Sequence, residues 1–210
     1  MSKVHLIKCG TENCYIVSND NAAVLVDTGT KEYLDTVIAE CGKYDIKLIV
    51  LTHTHFDHAD NAAALSERFG VPVAYNRADD ELFENYNAQP LKCYGLTGRV
   101  VLGMSKKVLA ETKVDRPDNV VFIKDGDSLS EYGIDADIIG LPGHTSGSIG
   151  VDVEGKALLV GDALDNWVLP GMGHLYSDLD AMKKTYEKIR SLGERTIFYG
   201  HGKPTVTKVR

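Results

Sequence analysis

The apolar run KLIVLT (Lys47–Thr52) passes directly into HTHFDH (His53–His58), which carries three imidazoles and a carboxylate. No other feature limits the fold as much. A run of this composition reads as a strand buried on both faces of a sheet. The groups that follow it must reach an edge where water, an ion or a substrate meets them, because burying them unpaired is costly. His53 and His55 lie two positions apart, so in an extended segment both side chains point to one side. Two imidazoles so placed can share one divalent cation. Asp57 and His58 stand where the chain turns into a helix and can serve a neighbouring position. The competing reading is a charged, solvated turn.

Three further groups sit at the ends of apolar strands: His144 after DIIGLPG, Asp162 after ALLVG and His201 after TIFYG. A single histidine at a strand end is ordinarily exposed or satisfied locally. Several, at the ends of different strands, are what a site at a sheet edge requires. The scaffold is readable around them. VHLIKC, NCYIVS, AVLVDTG and VPVAYN read as strands, and KEYLDTVIAECG places Leu34, Val37, Ile38 and Cys41 at helical spacing before Gly42. A helix is predicted from Asp57 to its stop at Gly70, and a hairpin turning at Glu154-Gly155. Another helix is predicted over Leu179–Leu192, with Ser177 and Asp180 spaced as a capping box and Gly193 as its stop.

AVLVDTG leading to IVLTHTH, and ALLVGDA leading to IFYGH, repeat one order: strand, Asp, helix, strand, His. This predicts two similar halves that bring an Asp and a His to the same edge. Residues from about 79 to 118 fit neither a hairpin nor one long helix, although they include the apolar VVLGM and the helix-like SKKVLAET. A connection this long reads as a lid-like insertion. It reads equally well as the interface of a homodimer.

A chain of 210 residues is expected to form one domain over 1–210. A net charge of −7 and a pI of about 5.5 oppose nucleic-acid and anionic-membrane partners, leaving a small-molecule substrate. No window is long and apolar enough to span a bilayer, and MSKVHLIKCG lacks the apolar core of a signal peptide. Cys9, Cys14, Cys41 and Cys93 show no C-x-x-C spacing and read as reduced thiols, so a cytoplasmic location is expected.

Together, VLVDTG with Asp27, HTHFDH, His144 in PGHTSGS, Asp162 in LLVGDA and His201 in YGHGKP resemble the five-motif pattern of the metallo-β-lactamase superfamily. The motifs span Asp27 to His201. The resemblance implies an αββα sandwich, an α/β (α+β) fold of two mixed β-sheets flanked by helices with the metals at one edge. It implies one ion held by His53, His55 and His144, a second by Asp57, His58 and His201, and Asp162 bridging the two. Asp27 would orient a ligand through a hydrogen bond without touching metal. Asp57 and Asp162 would be the catalytic carboxylates. Imidazole with carboxylate suits zinc, and also iron or manganese. Two such ions at roughly 3.5 Å share a water, lower its pKa and polarise a carbonyl. The expectation is therefore a dinuclear, zinc-dependent hydrolase of a small ester, thioester or lactone, acting through a metal-bridging hydroxide.

Departures from the family pattern narrow this. The β-lactam-hydrolysing members typically have cysteine or another non-bridging residue where Asp162 stands, so a true β-lactamase is not expected. Aspartate there resembles the glyoxalase II and lactonase members. The helical glutathione-binding region of glyoxalase II has no counterpart in the nine residues after His201, and ALDNWVLPGMGHLYSD lacks the GRSDFPRG-like stretch of the short glyoxalases. The alternative is a persulfide dioxygenase with one iron, for which His53 or His55, His144 and Asp162 are candidates. A non-catalytic metal-binding module fits less well, since structural zinc sites are closed and rich in cysteine. His174, in GMGHLYSD, is open between a substrate contact or general acid and an exposed loop histidine. Trp167 and Tyr176 either wall the pocket or pack beneath it. No role follows for Asp165.

Overall fold

The structure, a computed structural model, describes residues 1–96, 98–103, 112–167 and 169–206. In chain order its elements are β1 (Lys3–Cys9), β2 (Glu12–Ser18), β3 (Ala23–Val26), α1 (Leu34–Cys41), β4 (Ile46–Val50), α2 (Phe56–Ala59) and α3 (Ala62–Phe69). There follow β5 (Val73–Tyr75), β6 (Lys92–Cys93), β7 (Val120–Phe122), β8 (Ala136–Gly140), β9 (Ile149–Val153), β10 (Ala157–Gly161), β11 (Leu164–Asp165), β12 (Gly171–Met172) and β13 (Leu175–Tyr176). The last are α4 (Leu179–Ser191), β14 (Thr196–Tyr199) and β15 (Thr205–Val206). No helix among the described residues is long and apolar enough to cross a membrane.

Two mixed sheets form the body. The first has six strands in the order β1-β2-β3-β4-β5-β7, antiparallel from β1 to β3 and parallel from β3 to β7. The second has five, β15-β14-β10-β9-β8, with β10 and β14 parallel and the rest antiparallel. Three apolar clusters hold the layers together. Val24, Leu48 and Val50 of the first sheet meet Ile149, Val151 and Leu159 of the second. On the outer face of the first sheet, Leu25, Ile49 and Val73 pack on Val37 and Cys41 of α1 and Leu65 of α3. On the outer face of the second, Leu158, Val160 and Ile197 pack on Ile189 of α4. The layering is helix, sheet, sheet, helix, as the resemblance implied. The alternation of Leu48 and Val50 inward with Ile49 outward explains why β4 reads as an unbroken apolar run.

The repeated order appears as two parallel strand pairs, β3 with β4 in one sheet and β10 with β14 in the other. Each first strand runs into a left-handed backbone residue, Asp27 (φ 60°) and Gly161 (φ 52°). These strand ends are close-packed across the seam. A Cβ on Gly161 would overlap the side chain of Thr52, so glycine is required there.

Some local expectations are corrected. The helix read from Asp57 to Gly70 is two, α2 and α3, broken at Asp60 and Asn61. The Asn61 amide donates to the carbonyls of Thr28, Gly29 and Thr30 (2.9, 3.2 and 2.7 Å), and Asp60 accepts from the Lys31 amide (3.0 Å). Those side chains serve the loop after β3 and take the backbone out of register. The cap of α4 is Asp178, which accepts from the amides of Asp180 and Ala181, and not Ser177, whose hydroxyl donates to the Gly143 carbonyl. The hairpin turn does form at Glu154-Gly155, both at positive φ, the conformation of a type I′ turn. In the 79–118 stretch the chain makes short 3-10 turns at Arg77–Phe83 and Tyr86–Ala88, then β6, which pairs with β13. Most of SKKVLAET lies outside the described residues. All four cysteines are free thiols; Cys9 and Cys14 lie buried with their sulfurs 3.6 Å apart.

Candidate metal centre

β4 ends at Val50, and the extended segment that continues it carries His53 and His55 to the rim of the seam between the sheets. α2 then begins at Phe56 and sets Asp57 and His58 on its first turn. The second sheet answers from three strand ends: His144 beyond β8, Asp162 directly after β10, and His201 two residues past β14. Seven side chains from four separate stretches of the sequence thus meet in two groups, His53, His55 and His144 in one, Asp57, His58, Asp162 and His201 in the other, with all ligand atoms of a group within 4.8 Å of one another.

In the first group the rings of His53, His55 and His144 stand 4.7–4.8 Å apart and nearly perpendicular in each pair, at 85–88°. That arrangement turns three ring edges toward a common point. The Nδ1 of His55 lies 2.9 Å from Nε2 of His144. Asp162 joins the groups. Its Oδ2 is 3.7 Å from His144 Nε2 and 3.5 Å from His201 Nε2, and its Oδ1 is 3.4 Å from His58 Nε2. Asp57 Oδ2 is 3.3 Å from His201 Nε2. Tetrahedral nitrogen ligands at about 2.0–2.1 Å from an ion lie about 3.3 Å from one another, so the spacing of these donors fits a cation. His53 Nε2, His58 Nε2 and Asp162 Oδ1 are buried and lack any hydrogen-bond partner. Orphaned polar atoms are rare in protein interiors, and three in one cluster mark a place for a positive ion.

The opposite nitrogens are held from behind. Asp27 accepts from the Thr52 amide (2.8 Å), the Thr52 hydroxyl (2.9 Å) and His58 Nδ1 (2.9 Å). With its proton committed to Asp27, the Thr52 oxygen accepts from His53 Nδ1 (3.2 Å). Asp27 therefore orients His58 directly and His53 through Thr52, and leaves both Nε2 lone pairs facing the cluster. His144 Nδ1 donates to the Leu175 carbonyl (2.9 Å), and His201 Nδ1 to the Thr11 carbonyl (3.1 Å). Neither the relay role of Thr52 nor that of Asp79 was visible in the sequence. Asp79 is buried and accepts from the Thr145 hydroxyl (2.6 Å) and the Gly147 amide (2.8 Å), fixing the loop that presents His144.

The groups differ electrostatically. Burial, and then the neighbouring His58, His144 and His55, hold His53 well below the usual imidazole range. Burial and His144 bring His55 down to about 3. Burial also opposes charge on His58, but the carboxylates of Asp27, Asp57 and Asp162 outweigh it and push that ring well up. His201 is pushed up to about 10 by Asp162 and Asp57 against its burial. Burial would raise Asp57, yet His58 and His201 bring it down to about 2; Asp162 is held well below the carboxylate range by His201 and His58. His53 and His55 present neutral lone pairs, and His58 and His201 hold protons where a cation would sit.

His55 and His144 of the first group and Asp57, Asp162 and His201 of the second line a cavity of about 290 Å³ whose walls include Phe56, Leu91, Val101, Trp167 and Leu175. Trp167 stacks on His201 at 4.9 Å and 19°. His174 is on the wall, and Asp165, for which the sequence suggested nothing, is its partner: Oδ2 lies 2.5 Å from His174 Nδ1. No lysine or arginine is among the described lining residues, whereas Glu12 is.

Residues 7–201 match a family model described as the metallo-beta-lactamase superfamily. Over 159 residues, 73% of this chain and 66% of the relative's own length, the sequence is 33% identical to the hydroxyacylglutathione hydrolase GloC of Haemophilus influenzae. Among solved structures, the BLEG-1 B3 metallo-beta-lactamase superposes with a TM-score of 0.73 at 22% identity, covering 97% of this chain and 94% of that one. TTHA1623 in a di-iron-bound form superposes with a TM-score of 0.69 at 24% identity, covering 97% and 93%. At these identities the structural likeness is one of fold.

Proposed function

The chain belongs to the metallo-β-lactamase superfamily, whose members are mostly hydrolases, and from that premise we propose that it is a metal-dependent hydrolase of a small ester, thioester or lactone. One observation carries the reading: seven His and Asp side chains, three with buried unpartnered atoms, converge in two groups, and five of the seven line a largely apolar cavity. His53, His55 and His144 would hold one divalent ion, and Asp57, His58 and His201 a second, with Asp162 shared. Ions so held lower the pKa of a bound water toward neutrality and polarise a carbonyl oxygen. The chain's own residues do the rest. Asp27 and Thr52 keep the imidazole tautomers fixed, Asp57 and Asp162 counter positive charge, and Phe56, Leu91 and Leu175 shield an apolar acyl group from water. The lining favours a neutral substrate over a multiply anionic thiol carrier: among the described lining residues there is no lysine or arginine to pair with a carboxylate away from the metal centre, and Glu12 would repel one. Zinc is the metal the donors suit best, and Leu91 and Val101, from the stretch read as lid-like, cover one side of the cavity.

Elemental analysis of the purified protein tests this, run beside oxygen uptake on a persulfide and turnover of an ester, thioester and lactone panel. About two zinc ions per chain with hydrolysis and no oxygen consumption is the expected result. One iron per chain with persulfide-dependent oxygen uptake would replace it with the dioxygenase reading.

A further inference from the structure

Asp165 and His174 face the same cavity and belong to neither donor group. Asp165 ends β11, and His174 lies between β12 and β13, so the antiparallel pairing of β11 with β12 brings them together. Asp165 is 5% exposed, and its Oδ2 accepts both from the His174 amide (3.0 Å) and from Nδ1 of the ring (2.5 Å). Tyr94 stacks on that ring at 5.6 Å and 9°, and is itself fixed by its hydroxyl, which donates to the Met172 carbonyl (2.6 Å). The imidazole plane is thus set from two directions. Its Nε2 makes no hydrogen bond among the described residues, and a quarter of the side chain is open. A histidine oriented through Nδ1 by a buried carboxylate, with Nε2 unengaged beside a reacting group, is the arrangement in which imidazole passes protons.

A proton donor on this wall bears on the leaving group. When a carbonyl carbon–oxygen bond breaks, the electron pair departs on an alkoxide, the conjugate base of a group about as weakly acidic as water, with a pKa of about 15.7. Its departure at neutral pH requires a proton. A thiolate, from a thiol with a pKa of about 8.5, departs unaided. We propose that His174, oriented by Asp165, is the catalytic proton donor to the leaving group, and that the substrate is an oxygen ester or lactone with an apolar acyl part. This rests on the hydrolytic reading above and narrows it. Water adds to the carbonyl carbon, and the bond from that carbon to the leaving oxygen breaks. The departing oxygen keeps the electron pair and takes the proton from His174 Nε2. The proton shed by the attacking water restores the imidazolium, and the carboxylic acid formed ionises to solvent. Asp165 is the positioning residue.

The test uses the metal-loaded protein and its His174→Gln and Asp165→Asn variants, with hexanoic acid presented as its ethyl ester and as its S-ethyl thioester. Metal content is measured on each sample. At wild-type metal content, His174→Gln should lose about 10²–10³-fold in kcat/KM on the oxygen ester and less than about tenfold on the thioester. Asp165→Asn should lose about tenfold on the ester. A His174→Gly variant should regain ester turnover on addition of imidazole. Equal losses on both substrates, or loss of metal, would assign the pair a structural role and overturn the proposal. Undiminished ester turnover by His174→Gln would overturn it too. Failure of the wild type itself on both substrates would remove the hydrolytic reading along with it, a result seen before any variant is compared.

Discussion

Exchanging Asp27 for asparagine separates the orientation of the donors from their identity. Asparagine keeps the size of the side chain and tolerates the left-handed backbone at φ 60° about as well as aspartate does. What changes is one oxygen, which becomes an NH2. In the native chain that carboxylate takes three hydrogen bonds, from the Thr52 amide, the Thr52 hydroxyl and His58 Nδ1. Asparagine can still accept from the Thr52 amide, but its NH2 then faces two donors. Relief comes when His58 moves its proton to Nε2, the atom needed for metal. The Thr52 hydroxyl, released, turns toward His53 Nδ1 and shifts that tautomer as well. Loss of such an outer contact weakens metal affinity by about 10–100-fold, which is about 1.4–2.7 kcal/mol. The ion in the group of His58 should weaken more than the one in the group of His53, because Thr52 intervenes for the latter. Removing one partner of a buried ion pair costs about 3–5 kcal/mol, so the metal-free variant should also unfold at lower urea. Competition with a chromophoric chelator gives the two affinities, and urea unfolding of the metal-free proteins gives the stability. Retention of both ions at wild-type affinity would refute orientation through Asp27.

Other perturbations read the same site. His55→Ala should abolish hydrolytic turnover and lower metal content while circular dichroism stays native; full metal with retained activity would sink the ligand assignment. In the metal-free protein, burial opposes but the facing carboxylates sustain a proton on His58 and on His201, the latter up to about 10. Metal uptake at pH 7 should therefore release about two protons per chain, measurable by titration calorimetry in buffers of different ionisation enthalpy, and release of none would contradict the charge assignment. The raised His201 value contributes stability to the metal-free fold that is fully present below about pH 6.5 and is lost as pH rises through about 10. Trp167, the sole tryptophan, stacks on His201, so replacing the proton of that ring by zinc should raise its emission. An unchanged spectrum at saturating zinc would mean that His201 is not engaged.

How much of this was legible in the sequence follows the range of each interaction. The unbroken apolar character of Lys47–Thr52 already specified a strand covered on both sides, and the layers of Ile49 against α1 and Leu48 against the second sheet are its direct result. His53 and His55 announced a shared site because their spacing is local. His144, Asp162 and His201 were joined to them by their places at the ends of apolar strands and by the repeated strand–Asp–helix–strand–His order, and their division into two ligand sets came only from the family's motifs. The roles of Thr52, Asp79 and Asp165 were not legible for one reason. Each acts through a hydrogen bond to a partner its own stretch does not specify, and Thr and Asp in such places are indistinguishable from ordinary turn residues. The break at Asp60-Asn61 and the cap at Asp178 were misplaced likewise, because the choice among adjacent polar residues is made by backbone groups elsewhere in the fold.

The repeated halves have a mechanical consequence. His53, His55, Asp57 and His58 leave the first sheet; His144, Asp162 and His201 leave the second. Any ion bound by either group therefore ties one layer to the other, in a chain whose four cysteines tie nothing. Such an ion is a removable cross-link at the rim of the seam, stiffening the molecule where the β3–β4 and β10–β14 pairs abut, while the far rim is held by apolar packing and by polar contacts such as the Asn19 amide on the Gly133 carbonyl (2.6 Å). Separation of the sheets and release of the metal then become one motion, so the rate at which a chelator strips the protein reports how often its two layers part.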